Sequence, residues 1–290
     1  MWTYHPDLLA KPVPRYTSYP TAADFGPLEQ GAIERAIAAA SGDISLYLHI
    51  PFCEQICYYC GCNTGKSGKR ARVESYLAAL HQELATVASL LPQGARVRRI
   101  AFGGGSPNAI LPDEFLGLVT SLHAHLPMFA PEWSIELDPR SLTREWGTVL
   151  RDVGITRVSM GVQTFAHHCQ RAIGREQSLT MICQGVDLLR RAGVTSLNFD
   201  LMYGLPHQTE ADLEDSLAQT VKLGAERVAV FGYAHVPHLV PRQTMIPAEA
   251  LPGAAARFMM ANQAHEYLTA AGYDAIGFDH FALPADPMAR

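Results

Sequence analysis

Residues 45–63 read SLYLHIPFCEQICYYCGCN. The first six form a short apolar run closed by Pro51, the pattern of a buried strand. Three cysteines follow at C-x3-C-x2-C spacing: Cys53, Cys57 and Cys60. Cys62 comes two residues later, while Cys169 and Cys183 stand alone. A disulfide framework spreads its cysteines to staple distant segments. A tight cluster in a reducing compartment reads instead as a metal site. Thiolates are soft ligands that suit zinc or iron–sulfur centres. A structural zinc site needs four ligands, usually from two separated pairs, and no second Cys or His pair at such spacing appears downstream. Three cysteines on one loop suit three corners of a [4Fe–4S] cube whose fourth iron stays free for a ligand. A zinc knuckle or a set of buried thiols is the plainer alternative.

Outward from this loop the same rhythm recurs. Apolar or β-branched runs fall at 97–102 (VRRIAF), 133–137 (WSIEL), 155–160 (ITRVSM), 195–202 (TSLNFDLM) and 226–233 (ERVAVFGY). Helical spacing lies between them, in Leu77, Leu80, Leu84, Val87 and Leu91, and in Phe115, Val119, Leu122 and Leu126. Thr209 and Asp212 predict a capping box before Leu213, Leu217 and Val221. Gly154, Gly193 and Gly224 each mark a helix stop before a strand. Six strands alternating with helices predict a parallel α/β sheet. Each strand ends in something unusual for a core: His49, the Gly103–Gly105 run, Glu136 and Asp138, Gln163, Asp200 and His235. The C-terminal strand ends of a β/α barrel build its active site, so the pattern predicts an α/β fold with a partial (β/α)6 barrel over 45–290. Residues 1–44, with Pro6, Pro12, Pro14, Pro20 and Pro27, predict an N-terminal arm that covers the substrate, then a helix near Glu29–Ala40.

Composition narrows the function class. Hydrophobic residues make up 48% and charged residues 18%, a globular balance. Lys plus Arg number 23 against 28 Asp plus Glu, a net charge of −5, which argues against a nucleic-acid partner. No apolar run is long enough to span a bilayer, and the opening MWTYHPDLLAKPVPRY lacks the apolar core of a signal peptide. The expectation is a cytoplasmic monomer with no membrane partner.

Ten motifs in order then carry a resemblance: PRYTSYPTA (14–22), YLHIPFC (47–53), YCGCN (59–63), FGGGSPN (102–108), SIELDPR (134–140), RVSMGVQTF (157–165), GREQ (174–177), NFDLMYGLPHQT (198–209), FGYAHVP (231–237) and GFDHFALP (277–284). Together they resemble the oxygen-independent coproporphyrinogen III oxidases among the radical S-adenosylmethionine enzymes, over essentially the whole chain. The resemblance implies that Cys53, Cys57 and Cys60 ligate a [4Fe–4S] cluster whose free iron chelates S-adenosylmethionine. It implies a 5′-deoxyadenosyl radical, an electron donor for the cluster, and coproporphyrinogen III as substrate. Two propionates would become vinyl groups with loss of two CO₂.

The same resemblance implies the cofactor contacts. Gly104, Gly105 and Ser106 bring backbone close to the amino-acid end of S-adenosylmethionine, and Glu136 accepts from its ribose or ammonium. Tyr47 and Tyr59 match further contact positions. Gln163, Arg175, Asp200 and the backbone of Ala234 match contacts of a second S-adenosylmethionine. Cys62 is not a ligand in the family. Plainer readings stand beside these: Arg175 as a surface ion pair with Glu176, Tyr47 and Tyr59 as core aromatics, the glycine run as a tight turn. Asp200, amid apolar neighbours, needs a partner. The basic stretch Lys66, Lys69, Arg70 and Arg72 is either a solvated loop or an attractor of a tetracarboxylate. His280 is singled out without a role. Relatives continue beyond Arg290 with a mostly helical domain, so this chain is expected to lack that domain. Rival readings are a haem-binding chaperone on the same scaffold, an inactive shortened form, or a zinc-binding structural protein. The chaperone branch typically lacks both the cysteine at the Cys62 position and the PRYTSYPT arm.

Overall fold

The computed structural model describes residues 2–9 and 24–290. The PRYTSYPTA motif lies outside the described residues. After α1 (Pro6–Leu9) and α2 (Ala32–Ala38) comes β1 (Gly42–Ile50), then the short β2 (Phe52–Cys53) and β3 (Gly65–Lys66) that bracket the cysteine loop. Regular alternation follows: α3 (Arg70–Leu90), β4 (Ala95–Gly104), α4 (Pro112–His125), β5 (Met128–Leu137), α5 (Arg144–Val153), β6 (Arg157–Gln163), α6 (His167–Ala172), α7 (Leu179–Arg191), β7 (Ser196–Tyr203), α8 (Glu210–Lys222) and β8 (Arg227–Gly232). The described chain ends with α9 (Ala254–Ala270) and the hairpin β9 (Asp274–Ile276) and β10 (His280–Ala282).

The main sheet runs β1-β4-β5-β6-β7-β8-β10-β9. Its first six strands are parallel and adjacent in chain order, and β10 joins β8 antiparallel. Parallel strands need a crossover, and the helices supply it. Because all six strands point the same way, their C-terminal ends meet on one rim. Register carries this through residue by residue: Ile50 opposes Gly104, Leu137 opposes Met160, and Gly161 opposes Asp200. Among the described residues β1 and β9 are unpaired edges, so the sheet is a partial barrel. The six long strands are those the sequence predicts. β9 and β10 are additions, three residues each, too short for a period-2 pattern to register.

The core lies between sheet and helices. Phe102 of β4 packs at 4.7 Å on Phe115 of α4 and parallel to Trp133 at 6.2 Å; Phe115 in turn packs at 5.2 Å on Trp146 of α5. Val73, Leu77, Leu80 and Leu84 bury one stripe of α3. Each such apolar side chain stabilises by about 1.5–3 kcal/mol. Helix ends follow the predicted chemistry. The Thr209 side chain accepts from Asp212 N–H while Asp212 accepts from Thr209 N–H. Gly154, in the left-handed region at φ 79°, donates to Leu150 and Arg151 carbonyls and turns the chain into β6.

The described part of the arm does not cover the rim. Trp2 donates its backbone N–H to Asn262 Oδ1 at 2.6 Å, and its ring sits 5.1 Å from His265. Tyr4 stacks 5.4 Å from Phe258. These are α9 residues; large apolar rings find more burial on a helix face than over a polar rim. The predicted helix near Glu29–Ala40 is shorter, Ala32–Ala38, with Gly31 at φ 74° preventing an earlier start. No helix among the described residues is long and apolar enough to cross a membrane.

Candidate functional site

Pro51 ends β1, and the next two residues pair with Gly65–Lys66 rather than with the main sheet. Gly65 N–H donates to Pro51 O at 2.8 Å, and Ser67 N–H to Cys53 O at 2.9 Å. Residues 54–64 are thereby closed into a hoop carrying Cys57, Cys60 and Cys62. Tyr58 N–H ties the hoop to Ile173 O at 3.0 Å. Its inner wall is the glycine run. A Cβ on Gly103 would lie 2.7 Å from Glu136 Cδ and Tyr47 Oη. On Gly104 (φ 113°) it would lie 2.7 Å from the His49 ring, and on Gly105 2.6 Å from Phe52 O. No side chain fits there, so the run is a requirement of close approach and not merely a turn.

Hoop and rim enclose a cavity of about 200 Å³. Cys53, Cys57, Tyr59, Cys60 and Cys62 line it from the cysteine loop; Gly104, Gly105, Glu136, Gln163 and Asp200 line it from the strand ends, and Arg175 from the loop after α6. Ten of the thirteen residues that the resemblance assigns to the cluster or to S-adenosylmethionine therefore line one cavity. Tyr47, Ser106 and Ala234 are not in its lining. Tyr47 is 57% exposed, and burial of its hydroxyl with Glu136 nearby raises its pKa to about 12. Ser106 is buried and donates to Asn108 Oδ1 at 2.6 Å, a structural bond. Ala234 O accepts from Gln243 at 3.1 Å.

Around the cavity the charges are strongly coupled. Arg175, 6% exposed, donates to Gly161 O, to Asp138 Oδ2 at 3.1 Å and to Cys57 Sγ at 3.4 Å. It is no surface partner of Glu176, which faces His167 at 3.2 Å instead. Arg140 donates to Asp138 Oδ2 at 2.6 Å and to Cys57 Sγ at 3.5 Å. Burial alone would raise the Asp138 pKa, but the two guanidiniums hold it below the ordinary value. Asp200 has the partners its setting demands: Ser159 Oγ donates at 2.9 Å and Asn198 Nδ2 at 2.8 Å. Burial, with Glu136 adding, raises its pKa to about 6. Burial likewise raises Glu136, against the Gly104 N–H that donates to it at 3.3 Å. The Cys60 thiol is lowered to about 6, chiefly by the hydrogen bond from Cys62, whose own pKa rises through that bond. Burial raises Cys53, opposed by Thr64 Oγ1 donating to its sulfur at 3.3 Å. Gln163 sits at φ 67°, a left-handed conformation at the bulged end of β6.

Arg70 pairs with Glu114 and Glu74 along α3 and α4, so the basic stretch is at least partly neutralised. His280 pairs with Asp279 at 3.0 Å and meets the Phe231 ring edge-on at 5.8 Å. Sequence reasoning missed Arg140 and Ser159. The DPR that closes SIELDPR was the available signal, an acid and a base around a proline at a strand end.

The donor set fits a cluster better than a single ion. Among the described residues, the His, Cys, Asp and Glu ligand atoms converging within 4.8 Å of one another are those of His168, Cys169 and Asp212, away from the hoop. The sulfurs of Cys53, Cys57 and Cys60 do not converge so closely, whereas one ion needs its ligands around a point and a cube offers each thiolate its own iron.

The profile of the Radical SAM superfamily matches residues 47–219. With a sheet of this topology and a three-cysteine hoop at its rim, the chain belongs to the Radical SAM superfamily. Within it, the chain is 42% identical over 283 residues to the oxygen-independent coproporphyrinogen III oxidase of Paracoccus denitrificans, covering 96% of this chain and 62% of that protein. The Escherichia coli protein of the same name is 38% identical over 281 residues, covering 95% and 61%. The solved structure of Escherichia coli coproporphyrinogen III oxidase, described as a radical SAM enzyme, superposes with a TM-score of 0.91 at 36% identity, covering 98% of this chain and 65% of that one. A radical S-adenosylmethionine methyltransferase of Kitasatospora setae shares the fold at 17% identity and a TM-score of 0.53. The chain thus spans about 62% of the length of the first of these relatives.

Proposed function

We propose that the chain carries the radical centre of an oxygen-independent coproporphyrinogen III oxidase, which converts two propionates of coproporphyrinogen III to vinyl groups. The observation that carries this reading is the single cavity in which three separated thiols, a side-chain-free glycine wall and the carboxylates of Glu136, Asp138 and Asp200 meet. Likeness to relatives of that name, at 38–42% identity, supports the substrate. Cys53, Cys57 and Cys60 would hold a [4Fe–4S] cluster. With S-adenosylmethionine and an electron donor, that cluster would supply the radical chemistry that removes one hydrogen atom from a propionate β-carbon. Each side chain then loses CO₂ and one electron, the latter to a one-electron acceptor.

The chain's own residues bind and orient. Gly103–Gly105 let a ligand lie against backbone, and Glu136 accepts from its ribose hydroxyls or ammonium. Asp200, Gln163 and Arg175 line the same cavity and suit a second S-adenosylmethionine. Enclosure by the hoop limits water and stray hydrogen donors. The protein is read as a cytoplasmic monomer without membrane or nucleic-acid partners.

Anaerobic reconstitution followed by assay for 5′-deoxyadenosine and protoporphyrinogen tests the reading. Alanine at Cys53, Cys57 or Cys60 should abolish iron–sulfur absorbance and cofactor cleavage, while Cys62→Ala keeps iron near wild type. Equal iron loss in the Cys62 and Cys53 variants, or zinc in place of iron, would overturn it.

A further inference from the structure

Cys57 differs from Cys53 and Cys60 in what stands behind its sulfur. Arg175 Nη1 lies 3.4 Å and Arg140 Nη2 3.5 Å from Cys57 Sγ. Asp138 Oδ2 ties both guanidiniums together, at 3.1 Å and 2.6 Å. The three side chains are only 8–11% exposed. Two guanidiniums and one carboxylate leave one net positive charge against a single sulfur, where water screens weakly. Cys53, by contrast, receives one neutral hydroxyl, from Thr64. Hydrogen bonds to the sulfurs and local net charge set the reduction potential of iron–sulfur centres. Donors and positive charge favour the reduced, more negative state.

We infer that Arg140 is a positioning residue that raises the reduction potential of the centre held by Cys53, Cys57 and Cys60, through its hydrogen bond to Cys57 Sγ. The inference rests on the cluster reading above. Arg140 is outside the cavity lining, and its remaining bonds go to Gln55, on its Oε1 and its carbonyl, both at 3.4 Å. It reaches the cavity only through Asp138 and Gln55, which do line it. Arg175 also faces the cavity, so its replacement mixes cofactor binding with potential. The electron comes from a low-potential one-electron donor, in the test titanium(III) citrate.

The test is a mediated redox titration of the reconstituted full chain, followed by electron paramagnetic resonance of the reduced centre. Arg140→Met should retain wild-type iron and sulfide yet be reduced about tenfold less favourably, a fall of about 59 mV for one electron. Arg140→Lys, which keeps the charge without the planar fork, should recover part of the fall. Asp138→Asn, which removes the opposing negative charge, should shift the potential upward. An unchanged potential in Arg140→Met with full iron overturns the inference alone. If that variant loses its iron, an Asp138→Asn potential that is unchanged or lower overturns it. A wild-type chain that takes up no cluster overturns the cluster reading and this inference together.

Discussion

Replacing Gly105 by alanine tests whether the glycine wall exists for space. Gly105 is not in the left-handed region, so alanine meets no dihedral penalty. What it meets is backbone: its Cβ would lie 2.6 Å from Phe52 O and 2.8 Å from Phe52 N, with Thr64 Oγ1 at 2.7 Å. Ordinary contact begins near 3.4 Å, so the hoop must retreat by about 0.8 Å. The retreat strains two bonds that fasten it, Gly105 N–H to Ile50 O at 2.9 Å and Ser106 N–H to Phe52 O at 2.7 Å. Overpacking of this kind costs about 1–3 kcal/mol, and weakening one bond adds about 1 kcal/mol. The smaller unfolded-state entropy of alanine returns about 0.4–1 kcal/mol. The net is a destabilisation of about 2 kcal/mol, or a Tm lower by about 3 °C for a chain of this size. Gly117→Ala is the control. Gly117 is inside α4 with no atom within 4 Å of the added Cβ, so the same change should stabilise by about 0.5–1 kcal/mol. Differential scanning calorimetry of the two variants reads both signs. A Gly105→Ala protein that melts with wild type, or above Gly117→Ala, would refute the spatial argument.

Asp200 gives a pH signature. Its pKa rises from 3.8 to about 6 on folding, so the native state binds the proton more tightly than the unfolded chain. Its contribution is complete below about pH 4 and is lost as pH rises through 6. Asp200→Asn should therefore be more stable than wild type at pH 7.5, by about 1–2 kcal/mol, and equal to it near pH 4; urea titrations at both pH values decide, and a loss at pH 7.5 contradicts the assignment. Equilibrium binding to the reconstituted chain should give two S-adenosylmethionine per chain. Asp200→Ala should lower the count while sparing iron, since Asp200 bonds Ser159 and Asn198 and not the cysteines; a count of one in wild type would remove the second site. Thr209→Ala should cost about 1 kcal/mol in chemical denaturation by opening the α8 cap, and no change would mean that Asp212 caps alone.

Much of this architecture was readable from the chain because its strands are apolar runs that stop at polar residues. LYLHI before Pro51 and LNFDLM before Gly204 each announce both a strand and its rim. What stayed hidden depends on direction and distance. Arg175 beside Glu176 looks like a surface pair, but adjacent residues diverge, and the guanidinium turns inward to Gly161 O, Asp138 and Cys57. Arg140 meets Cys57 across 83 positions of sequence, a contact that no local pattern records. α6 has six residues, fewer than two full turns, so its periodicity cannot show. Proline content in the arm does not say where Trp2 and Tyr4 find their rings on α9.

The six parallel strands lie in the sheet in the order in which the chain makes them, and this gives assembly a direction in time. Each βα unit emerging from a ribosome finds its partner strand already made, and the sheet grows by addition at one edge. The hoop closes through β2 and β3, and its glycine wall follows at the end of β4, but the guanidiniums behind Cys57 come later, Arg140 after β5 and Arg175 after β6. At about 5–20 residues per second, the stretch from Cys53 to Arg175 takes about 6–24 s to make. During that interval the three thiols lack their charged backing. Cluster delivery that waits for Arg175 would enter a site already able to hold it, and delivery before then would meet bare thiols exposed to oxidation.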